Sequence, residues 1–205
     1  ATGINLSDNM ITDMPPRLFD DHELIRSVWL SNNRLEAIPD GLFDGPSFRG
    51  DRTVSWLYLN NNRLTSIGPR LFSRMHDLQG IDMHGNQIQY VDPTAFNGLD
   101  MINSIDLSRN NVSMIEGGTF MNKELRFVSL SHNQLTRIES SAFGPSLDHV
   151  WLTANANLTC AGAGGSGVLP SGAECIDDGW CDAKWGVSRL GNSVCDGFHD
   201  SAYES

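Results

Sequence analysis

The chain of 205 residues has no cysteine before Cys160 and is short of basic side chains. Its 14 Lys and Arg residues face 25 Asp and Glu residues, which gives a formal net charge of -11. Nucleic acid and anionic membrane surfaces both require a basic patch, so we expect neither as a partner. The sequence also has no uninterrupted apolar run of about 18 residues, and it therefore predicts no membrane-spanning helix.

What the chain does contain is a short phrase that recurs seven times and ends on an asparagine. The asparagines are Asn9, Asn33, Asn62, Asn86, Asn110, Asn133 and Asn155, at successive steps of 24, 29, 24, 24, 23 and 22 residues. A phenylalanine lies ten residues after each of the first six: Phe19, Phe43, Phe72, Phe96, Phe120 and Phe143. A repeat of this length predicts a solenoid.

Each phrase alternates apolar and variable residues, as in Leu57-Tyr58-Leu59. This period of two predicts a short strand with one buried face, and such a strand must pair with the strands of neighbouring repeats. The asparagine follows the strand, where its carboxamide can donate to and accept from the next turn. We therefore predict a parallel sheet, a ladder of asparagine hydrogen bonds, and phenylalanines that fill the convex side.

Residues 54–64, VSWLYLNNNRL, match the pattern LxxLxLxxNxL at every fixed position, and the sequence resembles the leucine-rich repeats of extracellular proteins. The resemblance covers residues 1–159 in about seven repeats, with an insertion near residues 46–52. It implies an α/β solenoid that is curved, with a parallel β-sheet on the concave face and an irregular or short helical convex side. The insertion contains Arg49-Gly50-Asp51, which resembles integrin-binding loops and suggests cell adhesion.

The variable residues of the strands are the candidates for binding on the concave face. The central one in each strand is Asn5, Trp29, Tyr58, Asp82, Asp106, Ser129 or Trp151, and His84 lies two residues further along its strand. Aromatic side chains are enriched at binding hot spots. We predict that Trp29, Tyr58, Asp82, His84, Asp106 and Trp151 contact a protein or glycan partner.

Two of these candidates, Asp82 and Asp106, are expected on adjacent strands about 5 Å apart. Paired carboxylates can share a proton or bind a cation, but a solvated acidic patch is the simpler interpretation. No GxSxG, HExxH or Walker-type motif occurs in the sequence. We predict that the chain is not an enzyme and that this part of it has neither a cofactor nor a metal.

The four cysteines, Cys160, Cys175, Cys181 and Cys195, all follow the last repeat. An even number in a loop-rich tail indicates two disulfides in an oxidising compartment, and three pairings are open. Zinc is the alternative, although the spacings lack a CxxC pair. Three glycosylation sequons begin at Asn5, Asn111 and Asn157 and favour an extracellular or cell-surface location.

Residues 160–205 are interpreted as a cysteine-containing capping or linker region, or as part of a further module. Residues 190–196 resemble the middle of a Notch-type calcium-binding repeat, which implies calcium ligands at Asn192 and Asp196. The cysteine that such repeats carry near His199 is absent. The alternative is a peptide that covers the last repeat, with Trp180 and Trp185 over its open core.

Two functions follow from these patterns. The first is a non-enzymatic, extracellular interaction module that binds a protein or glycan through the concave face. The second is a structural building block of a cell-surface or appendage filament, in which the chain is part of a longer protein and contacts copies of itself. The repeats begin at the first residues without a preceding cap, which favours the second because open solenoid ends normally need capping.

Overall fold

A computed structural model describes residues 3–22, 25–48, 54–139 and 141–158, together with the backbone of two strands near the carboxyl end. Predictions on the remaining residues lie outside this description. They are the Arg49-Gly50-Asp51 tripeptide, the cysteines Cys160 and Cys195, the calcium candidates Asn192 and Asp196, and the tail tryptophan Trp185.

The described residues form short strands joined by turns. In chain order these are β1 (Gly3–Asn5), β2 (Ser27–Trp29), β3 (Trp56–Tyr58), β4 (Ser66–Ile67), β5 (Gly80–Asp82), β6 (Tyr90–Val91), β7 (Ser104–Asp106), β8 (Met114–Ile115), β9 (Phe127–Ser129), β10 (Arg137–Ile138), β11 (His149–Trp151), β12 (Ala173–Ile176) and β13 (Trp180–Ala183). Strands β1, β2, β3, β5, β7, β9 and β11 pair in that order in one parallel sheet. The predicted solenoid with a parallel sheet on its concave face is confirmed.

The convex side carries turns rather than α-helices. Strand β4 pairs with β6 and β8 with β10, in two small parallel sheets. Among the described residues the single helical element is a 3-10 turn at Pro46–Phe48. Within that part of the chain no helix is long and apolar enough to cross a membrane.

The large sheet buries the middle residue of strands β2, β3, β5, β7, β9 and β11, whereas Ile4 in β1 is partly buried. Val28, Leu57, Ile81, Ile105 and Val128 are at most 1% exposed. Leucines, isoleucines and valines from every repeat join them in one continuous hydrophobic core. A three-residue strand is too short to be stable alone, so the core and the neighbouring strands together hold it in place.

The asparagine ladder connects each repeat to the one before it. The side chain of Asn110, for example, donates to the carbonyls of Met83 and Leu107, while its oxygen accepts the amide of Ile88. The same three contacts recur one repeat apart at Asn33, Asn62, Asn86, Asn133 and Asn155, which are 1% to 7% exposed. The ladder therefore satisfies the amides and carbonyls that the turning chain would otherwise leave buried and unpaired.

Asn9 differs from the other six. It is exposed, and its side chain donates only to the carbonyls of Leu6 and Ser7 in its own repeat. In the described part of the chain, no repeat lies on its other side. Asn9 has the sequence position of a ladder residue without the cross-repeat contacts of one.

The predicted phenylalanines stack along the convex side. Ring centroids of Phe72, Phe96, Phe120 and Phe143 follow one another at 6.1, 5.5 and 5.6 Å. Phe43 lies 6.0 Å from Phe72. Such stacking adds to the stabilisation from buried aromatic area.

The insertion near residues 46–52 supplies a further ring to this stack. Phe48 is fully buried and contacts Phe19 at 5.9 Å and Phe43 at 5.3 Å. Ser47, also buried, donates to the carbonyl of His22 and accepts from the amide of Ile25. The first part of the insertion is therefore built into the core and the turn of the preceding repeat.

A hairpin extends the sheet beyond the last repeat. Strands β12 and β13 pair antiparallel, and β13 pairs antiparallel with β11. Cys175 and Cys181 are Cα partners in the backbone register of this hairpin. The hairpin occupies the edge of β11, which would otherwise expose unpaired backbone groups.

Replacing a ladder asparagine tests the role of the ladder. We expect Asn110→Ala to lower the free energy of unfolding by about 2 kcal/mol. It leaves the buried amide of Ile88 without a partner, at ~1–3 kcal/mol for such a group, and it removes one of the two asparagine donors to the carbonyls of Met83 and Leu107. Urea denaturation followed by circular dichroism measures the change. Asn9→Ala is the matched control and should change stability by less than about 0.5 kcal/mol. Equal losses in both variants would contradict the ladder.

Candidate functional site

The concave face is organised as rows of side chains that run across the strands. Asn5, Trp29, Tyr58, Asp82, Asp106, Ser129 and Trp151 are successive Cα partners, so the central variable residues form one row. A second row, from the first residue of each strand, contains Gly3, Ser27, Trp56, Gly80, Ser104, Phe127 and His149. Adjacent members of a row are about 4.8 Å apart, which is the spacing of strands in a sheet.

An aromatic cluster formed by Trp29, Trp56 and Tyr58 lies toward the amino-terminal end of this face. Tyr58 stacks on Trp29 at 6.1 Å with an interplanar angle of 5°, and on Trp56 at 6.1 Å and 18°. Trp56 remains 40% exposed. Tyr58 is thus sandwiched between two indoles, and the three rings offer a continuous apolar surface.

Two glycines allow the indoles to lie over the sheet. A Cβ atom added to Gly3 would overlap the ring of Trp29, and one added to Gly80 would overlap the ring of Trp56. Trp56 covers its own Cα partner, Gly80, whereas Trp29 reaches diagonally over Gly3, which is the Cα partner of Ser27. The glycines therefore fix the direction in which the indoles extend.

An Asp–His–Asp cluster, formed by Asp82, His84 and Asp106, follows along the face. His84 Nδ1 lies 2.8 Å from Asp82 Oδ1, which also accepts the backbone amide of His84 at 3.1 Å. Asp106 Oδ1 accepts the amide of Ser108 at 2.8 Å. Strand register places the two aspartates side by side, as the sequence predicted, and period two places His84 beside them.

The electrostatics of the cluster follow from these contacts. The hydrogen bond from His84 to Asp82 raises the pKa of the imidazole above its ordinary value, against the opposing effect of burial. Burial raises the pKa of the Asp106 carboxyl. Burial, and then the negative charge of Asp82, raise the pKa of the Tyr58 hydroxyl. The cluster thus favours a positive charge in its immediate neighbourhood.

A second aromatic cluster, formed by Phe127, His149 and Trp151, lies on the other side of the Asp–His–Asp cluster. Phe127 stacks on His149 at 5.7 Å and on Trp151 at 6.0 Å. Trp151 is 38% exposed. The face therefore presents acidic groups between two aromatic surfaces.

The sequence analysis placed Trp29, Tyr58, Asp82, His84, Asp106 and Trp151 on this face. The structure separates them into three clusters and adds Trp56, Phe127 and His149, which the sequence analysis missed. The missing signal was available, because a residue two places before an outward-facing strand residue shares its face.

The three sequon asparagines, Asn5, Asn111 and Asn157, are exposed. Asn5 begins the central row and is the Cα partner of Trp29.

An open hollow of about 450 Å³ lies elsewhere, lined by Arg17, Asp20, Asp44, Gly45 and Pro46 in the turns after β1 and β2. The concave face itself is an extended surface, which suits a macromolecule more than a small ligand.

The His84–Asp82 contact predicts a measurable titration. In metal-free protein, NMR should give His84 a pKa above about 6.5, and Asp82→Asn should lower it. Because the folded-state pKa is raised, the contact stabilises the fold fully below the unfolded-state pKa, and this contribution is lost as pH rises through the folded-state pKa. Asp100→Asn is the control, since Asp100 pairs with the exposed His76 at 3.0 Å. An unchanged His84 titration in Asp82→Asn would contradict the assignment.

Comparisons with known proteins agree with this architecture. Residues 52–112 and 124–146 match two families described as Leucine rich repeat. Mouse (Mus musculus) Tsukushi is 32% identical over 114 residues, which are 56% of this chain and 25% of Tsukushi. A chain in the structure of the Drosophila Toll–Spatzle complex superposes with a TM-score of 0.56 and 25% identity, over 68% of this chain and 22% of that one. The chain thus spans about a quarter of each relative, and its residues 52–112 and 124–146 carry leucine-rich repeats.

Proposed function

We propose that this chain is a non-enzymatic recognition module of an extracellular or cell-surface protein, and that it binds a protein partner through the concave face. The observation that carries the proposal is the pair of exposed aromatic clusters on either side of the Asp–His–Asp cluster, all on one sheet face. The backbone of the sheet fixes these side chains in advance, so a partner loses little binding energy to ordering them.

The chemistry of the face indicates what kind of protein segment would fit. Tyrosine and tryptophan are frequent hot-spot residues because they bury a large area at low cost in conformational entropy. The carboxylates of Asp82 and Asp106 favour lysine or arginine, whose cationic groups also bind well over Trp29 or Trp56. A partner segment with basic and apolar residues would therefore complement the surface.

Two further observations support an interaction role outside the cell. The Toll chain that this protein resembles was solved in a complex with Spatzle. The exposed positions of Asn5, Asn111 and Asn157 are compatible with glycosylation.

The test compares partner capture by the full chain and by two variants. The binding variant is Trp29→Ala with Tyr58→Ala, and the control is Tyr90→Ala with Met114→Ala, which removes residues 47% and 40% exposed in the small sheets. Extracellular proteins that bind the wild type and the control, but not the binding variant, are identified by mass spectrometry. The affinity of each is then measured with purified components.

We expect the binding variant to weaken the measured affinity by about 30-fold or more, as hot-spot residues do. Circular dichroism should show that both double variants remain folded. Equal capture by all three proteins would overturn the proposal. Binding of the wild type to a glycan array, or a mass in solution that corresponds to several copies, would instead favour the glycan or self-assembly alternatives.

A further inference from the structure

The Asp–His–Asp cluster brings three metal-ligating side chains together in a way that partner binding does not require. One donor atom from each of Asp82, His84 and Asp106 lies within 4.8 Å of the other two. Asp82 and Asp106 are Cα partners on adjacent strands, and His84 lies two residues beyond Asp82 on the same face. Within the part of the chain that the structure describes, no other group of His, Cys, Asp and Glu converges in this way.

We propose that Asp82, His84 and Asp106 form a binding site for one divalent transition-metal ion of the zinc type. Zinc binds imidazole nitrogen at ~2.0–2.1 Å and carboxylate oxygen at ~2.0–2.2 Å, so two ligand atoms of a tetrahedral ion lie about 3.4 Å apart. The donor atoms here lie within 4.8 Å of one another, so the most distant pair needs to approach by at most about 1.4 Å. All three side chains are partly exposed and can make this adjustment by small rotations.

The donor set indicates the class of ion. Calcium and magnesium prefer sites made entirely of oxygen ligands, whereas imidazole together with carboxylate suits zinc, copper, nickel and iron. The presence of His84 therefore distinguishes this site from an ordinary acidic patch. Three protein ligands also leave at least one coordination position open toward the concavity, for water or for a side chain of a bound partner.

The charge balance of the face also favours a cation there. Carboxylates directly opposite each other on neighbouring strands repel and destabilise a sheet. An ion bound between Asp82 and Asp106 would replace this repulsion with attraction to both. The bound ion would also replace the His84 imidazole as the group that contacts Asp82 Oδ1.

The experiment titrates zinc into the full chain after treatment with a chelator, with any free thiols alkylated so that cysteines cannot bind the ion. Isothermal titration calorimetry measures affinity and stoichiometry, and NMR follows the ring signals of His84. The test variants are His84→Ala, His84→Gln and Asp106→Asn. The matched controls are His76→Ala and Asp100→Asn, which disrupt an exposed His–Asp pair without a third ligand.

We expect one zinc ion per chain, with the His84 ring signals shifted. Each test variant should weaken this binding by at least about 100-fold, because the loss of an outer-shell partner alone costs about 10–100-fold. The controls should bind as the wild type does, and millimolar calcium should not displace zinc. The proposal is overturned if zinc does not bind below about 1 mM, if folded test variants bind as tightly as the wild type, or if calcium competes equally.

Discussion

The side-chain hydrogen bonds of the buried asparagines are the constraint on which the rest of this structure depends. A carboxamide such as that of Asn110 occupies the point where the chain leaves the sheet, and it binds the turn of the preceding repeat as well as its own. Without such a group, the turn would bury backbone amides and carbonyls that have no hydrogen-bond partner in the sheet. Each asparagine joins its own repeat only to the preceding one. The stability of the solenoid is therefore approximately a sum of contributions from single repeats and from the contacts between neighbours.

The ladder also determines the functional surface. Repeats that are joined in the same way at every junction place their strands in constant register, so equivalent residues form straight rows across the sheet. Side chains far apart in sequence, such as Trp29 and Tyr58, consequently stack at 6.1 Å. The strands supply rigidity, and the variable positions between the buried residues supply chemistry. Changes at Trp56 or Asp82 can therefore alter recognition while Leu57 and Ile81 continue to hold the core.

Most of the scaffold could be predicted from the sequence because its signals are periodic. The positions of the asparagines and phenylalanines determine the strands, the ladder and the aromatic stack. Phe48 could not be predicted, because it belongs to an insertion that breaks the period, and burial of a single ring there depends on contacts with Phe19 and Phe43. Strand register predicted that Asp82 and Asp106 are neighbours, but it did not predict the stacking of Trp56 on Tyr58. That stacking depends on rotamers, and on Gly80, whose role is visible only beside the Trp56 ring.

The concave face combines features that do not stabilise the fold. Exposed indoles keep apolar area in water, and adjacent carboxylates on neighbouring strands repel each other. The core and the ladder are extensive enough to tolerate both, as buried side chains from every repeat form one continuous cluster. Local interactions at odds with stability commonly mark functional sites. Here they converge on four neighbouring strands, β2, β3, β5 and β7, and any ligand that neutralises the aspartates or covers the rings would relieve them. Recognition on this face would thus also stabilise the repeats that create it.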